Sequence, residues 1–361
     1  MKQRLLIFHP SVAPYRIDFF NELNKSFDAK ICLQYWNLRS QKFDYQKIYD
    51  QFEFVPQYLP EGSKRKMLKE FRRQLKVYAP DIVITCEFNI ITLFVLIIKF
   101  IFRGKFKVVV MTDDSYDMVS DNHDFSIKHK IARNICVPLA NDLIVIEPNV
   151  QKWYLEKFNK GIVFPIIADD IKAEVNYERL LPISREHIER YRLEGKKVLL
   201  FVGRLVDLKN LKRTINAFEK SVSDATFVII GDGPLRKELE TLAKGINKEI
   251  IFTGRFDGDE LYAWYNIASV FILASYKEPF GAVTNEALLA GCRAIVSSKA
   301  GSSCLVNESN GEIVDPMDIQ EIANAIDRQM ELSHIPNLQS RRKNLMAVSF
   351  KEEMAALIQN L

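Results

Sequence analysis

A short segment in the second half of the chain carries residues that suit an anionic ligand. Gly203, Arg204 and Lys209 follow an apolar run, residues 198–202, that has the composition of a β-strand. A glycine lets the backbone approach a ligand closely, and the two cations match the two negative charges of a diphosphate. Two cations after a strand are also common in a solvated turn, so this segment indicates the chemistry without deciding it.

The segment 275–291, SYKEPFGAVTNEALLAG, gives a stronger signal. Glu278 falls in a loop after an apolar strand, and a helix is predicted from residue 282 to residue 290. The amides of residues 281–283 would be free to bind a phosphate at the start of that helix. Glu286 falls on the largely apolar helix face, where a buried carboxylate needs hydrogen-bond donors. A ribose or sugar diol would supply those donors, and a basic side chain of the protein is the alternative.

Two series of alternating strands and helices position these segments. Their strands are rich in Val and Ile without in–out alternation, which is typical of strands buried on both faces of a parallel sheet. The first series has strands at 4–8, 29–34, 81–85, 106–111, 142–146 and 162–166, and helices at 14–25, 63–78, 90–102 and 126–138. The second begins at residue 198, after a charged, weakly periodic stretch, 168–196, interpreted as the crossing between domains.

A chain of 361 residues exceeds what one hydrophobic core usually holds, so two α/β domains are predicted. Their boundaries are placed at residues 1–175 and 176–345, and a last helix within 346–361 is predicted to return to the first domain. Ligands of doubly wound sheets bind outside the carboxyl ends of the strands, so the chemistry is expected in the cleft between the domains.

The spacing of the two glutamates resembles the signature of a known family. Glu278 and Glu286, set in EPFGAVTNEALLAG, are similar to the paired glutamates of retaining GT-B glycosyltransferases, especially glycosyltransferase family 4, also called glycosyl transferases group 1. The segments 202–209, 227–235 and 251–256 resemble further motifs in the family's order. The resemblance is close over residues 198–330 and covers 1–170 only in outline. It implies the GT-B fold, with two doubly wound Rossmann-like domains that face each other across a cleft, the first for an acceptor and the second for a nucleotide-sugar.

The resemblance also implies roles for individual residues. Arg204 and Lys209 would hold the diphosphate, Glu278 the hydroxyls of the donor sugar, and Glu286 the ribose diol. The remaining donor-binding residues would be Gly203, Phe280, Gly281, Ala282 and Val283, with Arg255 and Phe256 beside the base. Family members retain the anomeric configuration and use cations where other enzymes use a metal ion. We therefore expect no metal and no cofactor besides the nucleotide-sugar co-substrate, with Glu278, Arg204, Lys209 and Asp113 as the catalytic group.

The first half departs from the commoner family pattern. Its first loop, HPSVAPYR at 9–16, replaces a glycine-rich loop and resembles a subset with a P-Y-R-x-x-F-F-N-x-L motif. Arg16 in this loop would contact the acceptor or a phosphate, or form a surface salt bridge. Asp113 and Asp114 follow a strand and would orient the acceptor hydroxyl, or cap a helix. His9, His123 and His129 are single histidines without the spacing of metal ligands. In the second half, Asn210 stands where the family usually has Gly.

Composition and charge indicate the cell compartment of the protein and its contact with membranes. The net charge is +4, and five scattered cysteines favour a reducing compartment. The apolar run 90–102 is too short to span a bilayer, so it is interpreted as a buried helix or a helix at a membrane surface. The run 64–76 predicts a basic amphipathic helix that could pack in the core or contact anionic lipid. We expect a cytoplasmic protein, with peripheral contact at the inner face of the cell membrane and no nucleic-acid partner.

These observations predict a retaining hexosyltransferase. It would move a hexose from a UDP- or GDP-sugar to a glycan or a lipid-linked acceptor in surface polysaccharide or glycolipid synthesis. The alternatives are a GT-B epimerase or phosphorylase, or a non-catalytic subunit that binds a sugar nucleotide. The donor sugar, its base, the acceptor and the oligomeric state stay open at this point.

Overall fold

The structure, a computed structural model, describes residues 2–36, 45–60, 64–101, 103–120 and 127–361. It divides into two compact units, Met1–Ile167 with Lys351–Leu361, and Ala168–Phe350. Ser63, Phe102 and Ser126, which were predicted as helix ends, lie outside the described residues, as does His123. Within the described residues, every helix is too short or too polar to cross a bilayer.

The first unit is built on a seven-stranded parallel sheet with the strand order β3-β2-β1-β4-β5-β6-β7. Its strands are β1 (Arg4–His9), β2 (Asp28–Leu33), β3 (Gln57–Tyr58), β4 (Ile82–Cys86), β5 (Lys107–Met111), β6 (Asp142–Val145) and β7 (Ile162–Val163). The order reverses between β1 and β4, both of which pair in parallel register. The loops that follow these two strands therefore meet at the topological switch point, where α/β sheets bind ligands.

In the described residues, seven helices connect these strands: α1 (Ile17–Ser26), α2 (Tyr45–Tyr49), α3 (Lys64–Tyr78), α4 (Ile90–Ile101), α5 (Tyr116–Ser120), α6 (Ile127–Leu139) and α7 (Pro148–Phe158). A 3-10 turn, Pro14–Arg16, leads into α1. The prediction of an amphipathic α3 is confirmed, because Met67, Phe71 and Leu75 are buried in the core while the cations from residue 65 to residue 76 are exposed. The interpretation of α4 as a buried helix holds for one face only.

The second unit repeats the design with a six-stranded parallel sheet in the order β10-β9-β8-β11-β12-β13. Its strands are β8 (Val198–Val202), β9 (Thr226–Ile230), β10 (Ile250–Gly254), β11 (Val270–Leu273), β12 (Arg293–Ser297) and β13 (Gly311–Val314). Its helices are α8 (Asp170–Arg179), α9 (Leu181–Tyr191), α10 (Leu211–Lys220), α11 (Arg236–Lys244), α12 (Asp259–Ile267), α13 (Val283–Leu289) and α14 (Ile319–Leu332). All residues of β8 and β9 are buried, as their unbroken apolar runs predict. The switch point of this sheet lies between β8 and β11.

The stretch 168–196, which the sequence suggested as a crossing between domains, forms α8 and α9 of the second unit. Helix α9 packs on α12, and the Ser184 hydroxyl donates a hydrogen bond to the Ala263 carbonyl at 2.9 Å. The border between the two units lies after Ile167, eight residues before the predicted border at residue 175. The predicted border falls inside α8. Charged residues on the outer faces of these helices conceal the few buried positions, such as Tyr177 and Leu181, that attach them.

The last helix, α15, comprises Phe350–Asn360. Residues 351–361 group with the first unit, where the Lys107 ammonium donates to the carbonyl of Leu361 at 2.8 Å. The returning segment therefore begins five residues later than the predicted residue 346.

Candidate functional site

Two loops of the second unit meet at its switch point. The first follows β8 and ends in a 3-10 turn, Asp207–Lys209. The second follows β11 and contains Glu278. The Lys209 ammonium forms an ion pair with the Glu278 carboxylate, and each side chain is only 15% exposed. A backbone hydrogen bond from Tyr276 to Leu208, 2.9 Å long, joins the same two loops. The sequence-predicted pair Lys209 and Glu278 is thus brought into direct contact.

Glycines allow this close arrangement. Gly281 has a φ of +93°, and a Cβ atom there would lie 2.7 Å from Leu273 Cδ2 and 3.1 Å from Glu278 Cγ. The Lys209 side chain runs close to the position of a Cβ on Gly203, 3.6 Å away. The backbone of Glu278 is held by hydrogen bonds with Lys299 and Gly301. Gly203 and Gly281 therefore border the ion pair on both sides.

The helix after this loop is shorter than the sequence predicted. Helix α13 has seven residues and begins at Val283, with Gly281 and Ala282 in the preceding turn. The Gly281 carbonyl accepts a hydrogen bond from Thr284 at 3.0 Å, so Gly281 starts the turn rather than the helix. Phe280 is buried in the core, so its side chain contributes packing.

Arg204 differs from Lys209 in its surroundings. Its side chain is exposed, and within the described part of the chain its guanidinium forms no ion pair and no hydrogen bond. The loop that carries Lys209 therefore also carries an exposed, uncompensated cation that is available for an anionic group.

Glu286 is satisfied by tyrosines. Its Oε2 accepts a hydrogen bond from the Tyr265 hydroxyl at 2.7 Å, and its Oε1 lies 3.5 Å from the Tyr262 hydroxyl. The Tyr177 hydroxyl donates to the backbone carbonyl of Glu286 at 2.8 Å. Burial raises the pKa of Glu286 even though both tyrosines that reach its carboxylate lower it. Both side chains that reach the Glu286 carboxylate are therefore tyrosines, and neither is the basic side chain that was the alternative from the sequence.

These three tyrosines were not predicted from the sequence as partners of Glu286. Tyr262 and Tyr265 are three residues apart on α12, a spacing that places both on one helix face. That signal is present in the sequence, but it does not reveal which helix the face will meet. The hydroxyls could be assigned to Glu286 only once the packing of α12 near α13 was known.

Arg255 and Phe256, predicted beside the base, lie apart from the ion pair. They follow β10, the edge strand that is separated from β8 by β9. The Arg255 guanidinium bonds to Asp257 at 2.8 Å, and the Phe256 ring packs 5.3 Å from His187 and 6.1 Å from Trp264. Arg255 is exposed at the sheet edge, whereas Phe256 is half-buried and packs against the rings of His187 and Trp264.

Asn210 takes the position where the family usually has Gly, and the structure gives the reason that it is tolerated. Its φ is +57°, in the left-handed region that Asn enters more easily than most residues. Its buried amide donates to the carbonyls of Ala274 and Pro316 at 2.9 and 2.8 Å. The substitution thus preserves the turn after Lys209 and ties it to the end of β11.

Comparisons with known proteins agree with this geometry. Residues 184–345 match the family model described as glycosyl transferases group 1, so the match contains both loops and Glu286. The segment 184–345 is thus similar to glycosyl transferases group 1 and is referred to here as the group 1 domain. An uncharacterized glycosyltransferase of Methanocaldococcus jannaschii is 37% identical over 162 residues, which are 44% of this chain and 39% of that protein.

A second relative of the group 1 domain covers more of the chain. It is the Campylobacter jejuni enzyme named GalNAc-alpha-(1->4)-GalNAc-alpha-(1->3)-diNAcBac-PP-undecaprenol alpha-1,4-N-acetyl-D-galactosaminyltransferase, 27% identical over 241 residues, or 63% of each chain. The match therefore spans less than two thirds of the length of either curated relative.

Solved structures extend the similarity of fold beyond the group 1 domain. The crystal structure of Anabaena HepE in complex with UDP aligns with 99% of this chain and 100% of its own, with a TM-score of 0.73 and 17% identity. The predicted GT-B class, two α/β units with doubly wound parallel sheets, is confirmed.

The first unit, which lies outside the group 1 domain, contains a cluster of charged residues at its own switch point. Arg16 is 3% exposed, and its guanidinium donates to Asp113 Oδ1 at 2.6 Å. Asp113 is 45% exposed, so one side of its carboxylate remains accessible to solvent. The salt bridge that the sequence left open for Arg16 exists, but Arg16 is buried rather than on the surface.

Asp114 and its neighbour Glu87 are held inside the same cluster. Asp114 is buried and accepts a hydrogen bond from the Tyr154 hydroxyl at 2.7 Å, so it faces the protein interior and does not cap a helix. Glu87 accepts hydrogen bonds from the Asp113 amide at 3.1 Å and from the Thr112 hydroxyl at 3.3 Å. Burial, then the charges of Asp114 and Asp113, raise the pKa of Glu87 to about 8.

Glu87 was not predicted as a site residue, although its position directly after a strand indicates one. It follows β4 directly, as Asp113 follows shortly after β5, and these two strands are neighbours in the sheet. Acids at the carboxyl ends of adjacent parallel strands are expected to converge.

Glu87, Asp114 and His129 form the group in the described residues that could hold a metal ion. One ligand atom from each lies within 4.8 Å of the other two. Two carboxylates and an imidazole suit several divalent ions. Asp114 Oδ2 accepts a hydrogen bond from Tyr154, whereas the buried Asp114 Oδ1 has no hydrogen-bond partner among the described residues and lies 3.6 Å from His129 Nε2. The expectation that no metal takes part stays a prediction.

Proposed function

We propose that this chain is a retaining, metal-independent hexosyltransferase. It moves a hexose from a UDP- or GDP-sugar to a glycan or lipid-linked acceptor, in the cytoplasm, during synthesis of a surface polysaccharide or glycolipid. The Campylobacter relative supports an acceptor of this kind, because its name describes an undecaprenol-diphosphate-linked glycan. HepE supports a uridine nucleotide, since that structure contains UDP.

The observation that carries the proposal is the charge arrangement after β8 and β11. Lys209 and Glu278 neutralise each other, and Arg204, five residues before Lys209 in the same loop, is exposed without a charged partner in the described residues. A diphosphate brings two negative charges, which Arg204 and Lys209 match. A carboxylate within reach of the same site accepts hydrogen bonds from sugar hydroxyls, so phosphate and sugar are recognised by adjacent groups.

The same charges support transfer without a metal ion. As the bond between the sugar and the diphosphate breaks, negative charge grows on the leaving phosphate oxygen. Lys209, which Glu278 holds in place before the reaction, stabilises that charge without the cost of reorienting solvent, and the exposed Arg204 adds a second cation from the same loop. The leaving phosphate then accepts the proton of the acceptor hydroxyl on the same face of the sugar, which retains the anomeric configuration.

Asp113 and Arg16 are proposed to orient the acceptor. Asp113 is accessible on one side and fixed on the other by Arg16, so its carboxylate can accept a hydrogen bond from an acceptor hydroxyl in a defined direction. Asp114 is buried and is proposed to position this loop through Tyr154 rather than to contact the acceptor.

Donor binding tests the assignment first. UDP, GDP and their hexose conjugates are screened by thermal stabilisation and titrated by calorimetry against wild type and the Lys209→Met, Glu278→Gln and doubly substituted variants. We expect Lys209→Met to bind the diphosphate most weakly, because it leaves the Glu278 charge uncompensated beside the phosphates. The double substitution removes that charge too and should recover part of the loss.

The matched control is Lys237→Met, an exposed lysine on α11 of the same unit. It should bind the nucleotide as wild type does. If Lys209→Met also binds as wild type does, or if the double substitution recovers nothing, the donor assignment fails.

Transfer and stereochemistry are tested with the nucleotide-sugar that binds. Turnover with added acceptor is followed in the presence of a chelator, and the anomeric configuration of the product is read from the proton coupling constant. An inverted product would contradict the proposal, as would activity that is lost with the chelator and restored by a divalent ion. Epimerised sugar nucleotide, a requirement for inorganic phosphate, or tight donor binding without turnover would instead identify the other functions that the sequence left open.

A further inference from the structure

The outer face of α4 is apolar although it faces solvent. Ile90, Ile97, Phe100 and Ile101 are exposed, Phe100 by 82%. Ile97 lies seven residues, or two turns, after Ile90, and Phe100 and Ile101 follow Ile97 by three and four residues, so all four lie along one side of the helix. The opposite side, with Ile91, Val95 and Ile98, is buried in the core of the first unit.

Helix α6, which contacts α4, repeats this pattern. Ile127, Ile131, Ile135 and Leu139 recur every four residues and are all exposed, Ile127 by 77%. A cavity of about 540 Å³ lies between the two helices, with Phe88, Leu93 and Ala132 among its lining residues. Two adjacent helices thus present parallel apolar stripes with an apolar groove between them, which soluble surfaces seldom show.

The surface beside these stripes is strongly cationic. Helix α3, which contacts α4, exposes Arg65, Lys66, Lys69, Arg72, Arg73 and Lys76, and α6 adds Lys128 and Lys130. Over residues 65–78, 90–101 and 127–139, ten Lys and Arg stand against one Glu, a net charge of +9. Because the whole chain carries +4, the remainder carries −5. The positive charge of the protein is concentrated on these three helices.

We propose that the outer face formed by α3, α4 and α6 is a docking surface for an anionic lipid bilayer. The isoleucines and Phe100 enter the boundary between headgroups and acyl chains, the groove accommodates part of a chain, and the exposed lysines and arginines bind the headgroups. Helices that lie in a membrane surface combine an apolar face with Lys and Arg in this way. The twelve residues of α4 extend only about 18 Å along a helix, so it lies on the bilayer and does not span it.

Charge selects a bilayer over a second copy of the chain. A symmetric dimer through this face would bring the same cationic helices together, and like charges in a contact oppose association. An anionic membrane surface instead attracts every one of these cations, at about 1 kcal/mol for each, which is about fivefold in the partition coefficient.

Vesicle sedimentation with the full chain tests the proposal. Vesicles of phosphatidylcholine alone are compared with vesicles that also contain phosphatidylglycerol, at low and high salt. We expect binding to the anionic vesicles only, weakened by salt. Lys66→Gln with Lys69→Gln should reduce the partition coefficient about 30-fold. Phe100→Ser with Ile131→Ser should reduce it about tenfold for each residue, because these side chains no longer gain from leaving water.

Matched controls come from the second unit. Lys220→Gln with Lys237→Gln removes two exposed lysines, and Val222→Ser with Leu332→Ser removes two exposed apolar side chains. Both should partition as wild type does. Absence of wild-type binding to anionic vesicles, or equal losses in test and control variants, would overturn the proposal.

Sedimentation equilibrium of the same proteins adds a second readout. A dimer that Phe100→Ser with Ile131→Ser dissociates, without vesicle binding by wild type, would assign this face to self-association and also overturn the proposal. The vesicle measurement needs neither donor nor acceptor, so its outcome is independent of the proposed transferase activity.

Discussion

Gly231 is predicted to be the least replaceable glycine near the donor loops. Its φ is +141°, and a Cβ atom there would lie 1.8 Å from the carbonyl oxygen of Gly203. The Gly203 amide in turn donates to Ile230 at 3.0 Å. A methyl group at residue 231 therefore cannot fit unless the peptide of Gly203 moves.

The magnitude for Gly231→Ala follows from two costs. Backbone in a region that only glycine normally occupies costs about 1–3 kcal/mol. Displacing Gly203 weakens its hydrogen bond to Ile230, which is worth about 0.5–1.5 kcal/mol. We expect a loss of about 2–4 kcal/mol in the free energy of unfolding of the second unit. Because Gly203 precedes Arg204, a displacement of about 1 Å there should also weaken donor turnover about 100-fold.

Gly258→Ala is the matched control. Its φ of +58° is also unfavourable for alanine, but no atom lies within 4 Å of the added methyl group. It should cost about 1–3 kcal/mol, from backbone strain alone, because a φ of +58° with a ψ of −136° is also a region that only glycine normally occupies. Hydrogen exchange of peptides spanning β8 and β9 measures the opening free energy of the second unit separately from the first. If the two variants lose the same stability, the close approach of Gly231 to Gly203 is not the constraint, and the reasoning is refuted.

Three further predictions concern buried polar groups. Glu286→Gln should leave the unfolding free energy at pH 7 equal or higher, because burial disfavours the carboxylate. It should nevertheless weaken nucleotide binding about 10- to 100-fold in calorimetry. An unchanged affinity would contradict a ribose contact. Asn210→Gly keeps the left-handed turn but leaves two buried carbonyls without their donor, so it should cost about 2 kcal/mol in chemical denaturation, and a stabilised variant would contradict this. Burial, then the Arg16 charge, lower the pKa of His9 from 6.5 to about 4. Between pH 6.5 and pH 4, His9 is protonated in the unfolded chain but mostly neutral in the folded chain. The free energy of unfolding should therefore fall by about 3 kcal/mol as the pH drops from 6.5 to 4. His9→Gln should show a shallower decline of the thermal midpoint, and an unchanged pH profile would contradict the assignment.

The central strands could be predicted from the sequence nearly to the residue. Residues 198–202 and 227–230 are continuous apolar runs, and the structure has β8 at Val198–Val202 and β9 at Thr226–Ile230. Both strands are buried on two faces, so each is a continuous apolar run with polar residues or glycine at its ends. The edge strands β3 and β13 lack that signal because only one neighbour covers them, and their residues are partly exposed.

The site was predictable as a set of loops but not as a set of contacts. Topology alone brings the ends of β8 and β11 together, so Lys209 and Glu278 were expected at one edge. That they would pair with each other depends on side-chain directions, which neither spacing nor strand order gives. The tyrosine partners of Glu286 depend in the same way on the packing of α12, and the Arg16–Asp113 pair depends on a loop without regular structure.

The Lys209–Glu278 pair also bears on why a carboxylate stands beside a proposed diphosphate site. An isolated Glu278 would repel the phosphates, and an isolated Lys209, only 15% exposed, would have to be charged at the cost of losing much of its water. Paired, the two residues present no net charge before the donor arrives. Arg204 then supplies the long-range attraction, and Lys209 can turn its remaining N–H donors to the phosphates without leaving Glu278, because an ammonium has three. On this reasoning a neutral side chain at residue 278 is tolerated for nucleotide binding but not for recognition of the sugar, so Glu278→Gln should separate UDP affinity from UDP-hexose affinity.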